Sequence, residues 1–219
     1  MKIKQDFFRV RGFSATLMIR DSGETNYPKF FRYWKGTSTL EYSSYLMLNI
    51  LLDENGKMKK GKRDFENDIS EGFVISFFDM YALKRMVDKL EVLATSDFYR
   101  EVDAGEDLGI QIEILPEFKK AITMTNSTKK NQIGFRPIVV FNRRENFHYP
   151  VIKVYINRED VGFNIPIEQF LGVVHFLKEF DLHNSSQLLL SSYFANSTLQ
   201  RQVTKDFSSK VAVDEDKNE

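Results

Sequence analysis

The sequence predicts an α+β fold in which several antiparallel strands lead into one helix, and the pattern occurs twice. The first observation is a repeat. Gly72–Leu90 (GFVISFFDMYALKRMVDKL) aligns with Gly162–Phe180 (GFNIPIEQFLGVVHFLKEF) at an offset of 90 residues. The second is that apolar positions coincide in the two copies at Met80/Phe170, Leu83/Val173, Val87/Leu177 and Leu90/Phe180, spacings of three and four that mark one helix face. The third is that several alternating stretches precede each copy, where a doubly wound sheet would place one strand before each helix.

The elements follow in chain order. Phe13, Ala15, Leu17 and Ile19 alternate with Ser14, Thr16, Met18 and Arg20, which reads as a strand. Phe30–Lys35 (FFRYWK) is a second extended run, and Tyr45–Leu52 (YLMLNILL) a third with Leu46, Leu48, Ile50 and Leu52 on one face. Asp53–Lys57 (DENGK) carries an Asn-Gly reversal signal. Gly-Phe-x-Ile opens each repeat as a short strand, and Ser76 with Asp79 has the spacing of a capping box. Pro166 suits a first helical turn. In the second half, Leu108–Leu115, Ala121–Asn126, Arg136–Asn142 and Val151–Asn157 are extended, and a turn through Arg158–Asp160 leads to Gly162. A last helix is expected from about Ser186 to about Phe207. Residues 1–210 are read as one domain, with repeats over about 8–95 and 107–182.

Composition bounds the function. The chain has 219 residues, 42 % hydrophobic and 28 % charged, which fits a globular domain and excludes disorder or coiled coil as a description of the whole. There is no cysteine, so thiol nucleophiles, disulfides and Cys–zinc sites are excluded. No run of ~18 apolar residues occurs, so no membrane span is expected. MKIKQDFFRV lacks an apolar run before charge returns and does not read as a secretory signal. A cytoplasmic protein is expected, in the bacterial host cytoplasm if the source is a phage. Lys+Arg and Asp+Glu are equal at 31 each, but the charge is unevenly placed. Val211–Glu219 (VAVDEDKNE) has Asp214, Glu215, Asp216 and Glu219 against Lys217. It is expected to be a disordered acidic tail that recruits replication or recombination proteins.

Enzyme chemistry is not expected, nor any cofactor or metal. There is no Walker-type loop, and His148, His175 and His183 form no HxxxH or HExxH pattern. Asp107 with Glu117-Phe118-Lys119 is a loose nuclease-like set, but Pro116 interrupts the strand that would present Glu117.

The aromatic share is the unusual feature: 20 Phe, 9 Tyr and 1 Trp. Phe77, Phe170, Phe176 and Phe180, on the helical stretches, read as core. Elsewhere aromatics coincide with cations, the combination that single-stranded nucleic acid requires, because bases stack on rings and phosphates seek cations. Lys29–Lys35 puts Lys29, Phe31, Tyr33 and Lys35 on one strand face and Phe30, Arg32 and Trp34 on the other. Phe141–Arg144 precedes Phe147-His148-Tyr149, and the outer face of Val151–Asn157 offers Lys153 and Tyr155. Lys57–Arg63 (KMKKGKR) holds five cations in seven residues. Phosphates are therefore expected at Arg32, Lys35, Lys59, Lys60, Lys62, Arg63, Arg143, Arg144 and Lys153, and bases on Tyr33, Trp34, Phe147 and Tyr155.

Val154–Leu177 (VYINREDVGFNIPIEQFLGVVHFL) resembles the last hairpin and helix of Whirly-type single-stranded-DNA-binding domains, and FVISFFDMYALKRMVDKL resembles the strand and helix of that family's first half. Asp97-Phe98-Tyr99 is similar to an aromatic segment found there. Trp34–Leu40 resembles the family's DNA-contacting strand motif at Lys35, Gly36 and Leu40, with Thr37 where the family has a second lysine. The resemblance implies two ββββα repeats whose antiparallel sheets pack through their helices, a homo-oligomer, tetrameric in the family's pattern, and single-stranded DNA along the exposed sheet faces. It implies no catalytic residues. RNA, or assembly through the sheet faces in a structural role, are the alternatives.

Overall fold

The computed structural model describes residues 2–21, 31–35, 38–52, 69–105, 109–128 and 130–197, with only the backbone described at 31–35, 38–40 and 69–70. It is α+β with antiparallel sheets. The first half contains β1 (Lys2–Val10), β2 (Phe13–Asp21), β3 (Phe31–Lys35), β4 (Ser38–Leu52) and β5 (Ile69–Ile75), followed by helix α1 (Met80–Thr95). The second contains β6 (Tyr99–Asp103), β7 (Ile110–Ile114), β8 (Ile122–Thr125), β9 (Gln132–Asn142), β10 (Phe147–Ile156) and β11 (Gly162–Pro166), followed by helix α2 (Ile167–Glu179).

In the first sheet β1, β2, β4 and β5 lie side by side in that order. The length of β4 makes room for a fifth strand, because β3 pairs with its start (Phe31↔Tyr42) and β5 with its end (Leu52↔Ile69) along one edge. The second sheet has the order β11-β10-β9-β8, and β6 with β7 forms a separate hairpin. Pro137 falls where β9, beyond Phe135, has no partner on its β8 side, an edge position that a residue without N–H tolerates.

The expected strands are present among the described residues, and β1 and β6 are additions. β1 escapes a period-of-two reading because its register with β2 slips between Asp6 and Phe8. That bulge places the two successive rings Phe7 and Phe8 both against Phe176, with centroids 5.2 and 5.1 Å away. Phe8 continues to Phe13, Phe13 to Phe135 and Phe135 to Phe170, each at ring-contact distance, so an aromatic chain joins both sheets to α2. Leu83, Val87 and Leu90 of α1 and Phe170, Val173 and Leu177 of α2 are all buried, as the repeat's helical spacing predicts. Phe77 departs from its expected core position. It lies in a 3-10 turn before α1 with its side chain half exposed, because the helix period begins only at Met80.

The helices α1 and α2 pack on each other. The Lys84 ammonium of α1 donates to the carbonyls of Leu177, Lys178 and Phe180, where α2 ends, placing a cation on carbonyls that have no partner within the helix. Lys178 of α2 returns an ion pair to Glu91 of α1 at 2.7 Å. Ser76 and Asp79 form the expected capping box, with the Asp79 carboxylate accepting from the Ser76 backbone N–H at 2.8 Å.

The described residues from Asp181 onward belong to a second unit. Within it residues 182–197 form helix α3. Asp181 caps its start by accepting from the backbone N–H groups of His183 and Asn184 at 2.9 and 3.0 Å. The rest of the expected last helix and the acidic tail lie outside the described residues.

Candidate nucleic-acid interface

The β9–β10 hairpin carries three of the expected site residues at its tip. The reversal spans Arg143–Asn146, with Asn146 in the left-handed region (φ 48°) that asparagine tolerates. Asn142 holds it from both sides: its side-chain oxygen accepts from the Arg144 N–H at 3.1 Å and its amide donates to Glu145 at 2.8 Å. Arg143 and Arg144 are exposed, and among the described residues neither makes an ion pair.

β10 begins just after this turn and presents Phe147 outward. Phe147 is 51 % exposed and stacks on Tyr149 with centroids 6.0 Å apart and planes 19° apart, two residues along one strand face. On the opposite face Phe141 packs on its cross-strand partner His148 at 4.7 Å and is itself exposed. Exposed phenylalanine at a hairpin end gains nothing from the core, which fits a surface that meets flat apolar rings from outside.

Further along β10 the two faces diverge. Ile152, Val154 and Ile156 point into the core with Phe135 and Ile133 of β9. Tyr149, Val151, Lys153 and Tyr155 share the other face with Phe147. Tyr155 corrects the expectation that it offers a stacking surface. It is only 6 % exposed, and its ring lies over Gly134, where an added Cβ would fall 2.2 Å from a ring carbon. The tyrosine fills the space left by a glycine without a side chain. Burial, then the nearby Glu159 carboxylate, push the Tyr155 phenol above its ordinary value, with Arg136 partly opposing them. The fold therefore stabilises the neutral phenol. That contribution is whole below the ordinary tyrosine value of ~10 and is lost as pH rises through the raised value. Denaturation midpoints taken from about pH 8 to about pH 11 are expected to fall less steeply in Tyr155→Phe than in the native chain. An unchanged slope would contradict this placement of the ring.

Lys153 is half-buried directly opposite Arg136, which pairs with Glu159. This face does not open straight to solvent. The β6–β7 hairpin stands across from it, and between them is a cleft of about 820 Å³. Arg136 and Lys119, both on that cleft, were not expected as site residues. Lys119 follows a Pro-Glu-Phe turn whose position over the sheet has no local signature, and Arg136 becomes relevant only through its register with Lys153.

The first sheet presents a different surface. Lys2, Lys4 and Arg9 of β1 line a shallow hollow with Ser14, Thr16 and Asn49, and Asp6 accepts from Thr16 at 2.7 Å. It is cationic and contains no aromatic ring. Arg32, Tyr33, Trp34 and Lys35 lie on β3 of this sheet, their backbones paired with Glu41, Leu40, Thr39 and Ser38. Their side chains, and Lys59, Lys60, Lys62 and Arg63, lie outside what the structure describes. The structure thus gathers Arg143, Arg144, Phe147, Lys153 and Tyr155 on one hairpin and leaves the β3 set on the other sheet. Of the nuclease-like set, Asp107 is outside the described residues and Glu117 is exposed on a 3-10 turn rather than a strand.

No protein-family model, no curated protein and no solved structure matches the chain.

Proposed function

We propose that the protein binds single-stranded DNA without sequence preference and coats exposed strands during replication or recombination. One observation carries the reading: the Phe147 ring, half exposed and stacked on Tyr149, begins β10 right after a turn carrying two exposed arginines that have no ion-pair partner among the described residues. Stacking accepts any base, and guanidinium groups meet the phosphates on either side of it, so sequence plays little part. The cationic face of the first sheet gives a strand a second place to run.

The same proposal takes the chain as two Whirly-like ββββα units. Its support is the strand order: β1-β2-β4-β5 leads into α1 and β8-β9-β10-β11 into α2, with β3 and the β6–β7 hairpin as additions to that scheme. Oligomerisation and recruitment of replication proteins by the acidic tail belong to this reading as well.

A gel shift comparing single-stranded DNA, RNA and duplex DNA tests it. Single strands are expected to shift at concentrations that leave duplex unbound. Phe147→Ala is expected to weaken binding by about an order of magnitude, since one base–ring stack is worth roughly 1–3 kcal/mol. Binding of duplex in preference to both single strands would refute the proposal, and preference for RNA over DNA would reassign its substrate.

A further inference from the structure

The cleft between the β6–β7 hairpin and the outer face of β9–β10 has the size and chemistry of a ligand site in its own right. Its volume of about 820 Å³ lies in the range of small-molecule pockets, ~300–1,000 Å³. Its walls are aliphatic, with Ile112 and Ile114 on the hairpin side and Ile138 on the sheet side. Three cations line it, Lys119, Arg136 and Lys153, against the two carboxylates Glu113 and Glu159.

The pairing of these charges is uneven. Arg136 is held by Glu159. Glu113 is held by Arg100, whose guanidinium donates to it at 2.8 and 2.5 Å, and that contact, against partial burial and with a smaller contribution from the Lys119 charge, keeps the Glu113 carboxyl below its ordinary range. Lys119 and Lys153 have no ion-pair partner among the described residues. They reach the cleft from different walls, Lys119 from the turn after β7 and Lys153 from β10. Lys119 feels the Glu113 carboxylate only at a distance and that carboxylate is already bound by Arg100, so two ammonium groups without an ion-pair contact stand over an aliphatic floor, which calls for an anion joined to an apolar body. A plain acyl chain would cover Gln111 and the Glu159–Arg136 pair without meeting their hydrogen-bonding groups, which is unfavourable. A nucleobase has an apolar face and a polar edge, and satisfies both.

We propose that this cleft binds one nucleotide, its phosphate met by Lys119 and Lys153 and its base lodged between Ile112 and Ile138. The ligand could arrive as a free mononucleotide or as one residue of a bound strand, and the experiment separates the two. Thymidine monophosphate is titrated into the isotope-labelled full chain while backbone amides are followed by NMR. The amides of Gln111, Ile112, Ile138 and Lys153 are expected to shift saturably. Thymidine and inorganic phosphate, each alone, are expected to bind at least about tenfold more weakly, because each lacks half of the recognition. Lys119→Ala/Lys153→Ala is expected to lose the response while its spectrum stays dispersed, and Arg143→Ala/Arg144→Ala to keep it. Unmoved cleft amides in the native chain, or an equal response in the double lysine variant, would overturn the proposal. Oligo-dT that displaces the mononucleotide identifies a strand as the ligand, and oligo-dT that binds without displacing it identifies a free nucleotide. If oligo-dT does not bind at all, the strand-coating function fails while the mononucleotide titration still decides the cleft.

Discussion

Replacing Asp79 by alanine is expected to destabilise the fold by about 3 kcal/mol or more, as judged from the loss of several charge-assisted hydrogen bonds at a buried site. Asp79 is only 3 % exposed. One carboxylate oxygen accepts from the Ser76 N–H at 2.8 Å, the Ser76 hydroxyl at 2.7 Å and the Ser127 hydroxyl at 3.2 Å. The other accepts from the Ser127 N–H at 2.6 Å. Ser76 joins β5 to α1, and Ser127 lies in the turn between β8 and β9, so one side chain fastens the first strand–helix junction to the second sheet. Alanine leaves the buried Ser76 N–H without its acceptor. Asp79→Asn keeps one acceptor but turns the other position into a donor facing donors, so it is expected to fall between alanine and the native chain. Urea unfolding followed by circular dichroism measures both. A loss below about 1 kcal/mol for alanine, no more than one ordinary hydrogen bond, would show that this carboxylate does not hold the two halves together.

The second large effect concerns binding. Reversing both hairpin arginines, Arg143→Glu/Arg144→Glu, is expected to weaken affinity for oligo-dT at low salt by at least about tenfold and to flatten its dependence on salt. Each phosphate contact to a single strand contributes about 0.7 to the slope of log affinity against log salt, so losing two removes roughly 1.4. Stability should barely change, because both side chains are exposed and exposed substitutions of this kind usually stay within about 0.5 kcal/mol. The combination separates a lost contact from a damaged fold.

Local patterns carried much of this architecture. The Gly-Phe-x-Ile repeat and the spacing Leu83, Val87, Leu90 placed both strand–helix junctions because each needs only a few neighbouring residues. The Ser76–Asp79 box was readable for the same reason, but its other partner, Ser127, lies 48 residues beyond Asp79 and no local pattern points to it. β1 was hidden because its bulge turns Phe7 and Phe8 both toward Phe176, which destroys alternation. At the candidate site, Arg143, Arg144 and Phe147 were legible as a cluster because a hairpin turn keeps them together. Tyr155 was misread because alternation gives its face correctly, while what covers that face depends on Gly134 across the ladder. Arg136 meets Lys153 only through the β9–β10 register, and Lys119 joins them only through the packing of the β6–β7 hairpin and its following turn over the sheet, a tertiary event with no mark in the local sequence.

Fluorescence anisotropy of a labelled oligo-dT, measured with the native chain from low to moderate salt, tests the strand-binding function most directly. Tight binding at low salt that weakens steeply and log-linearly as salt rises is the predicted result. Absence of binding at low salt would contradict it.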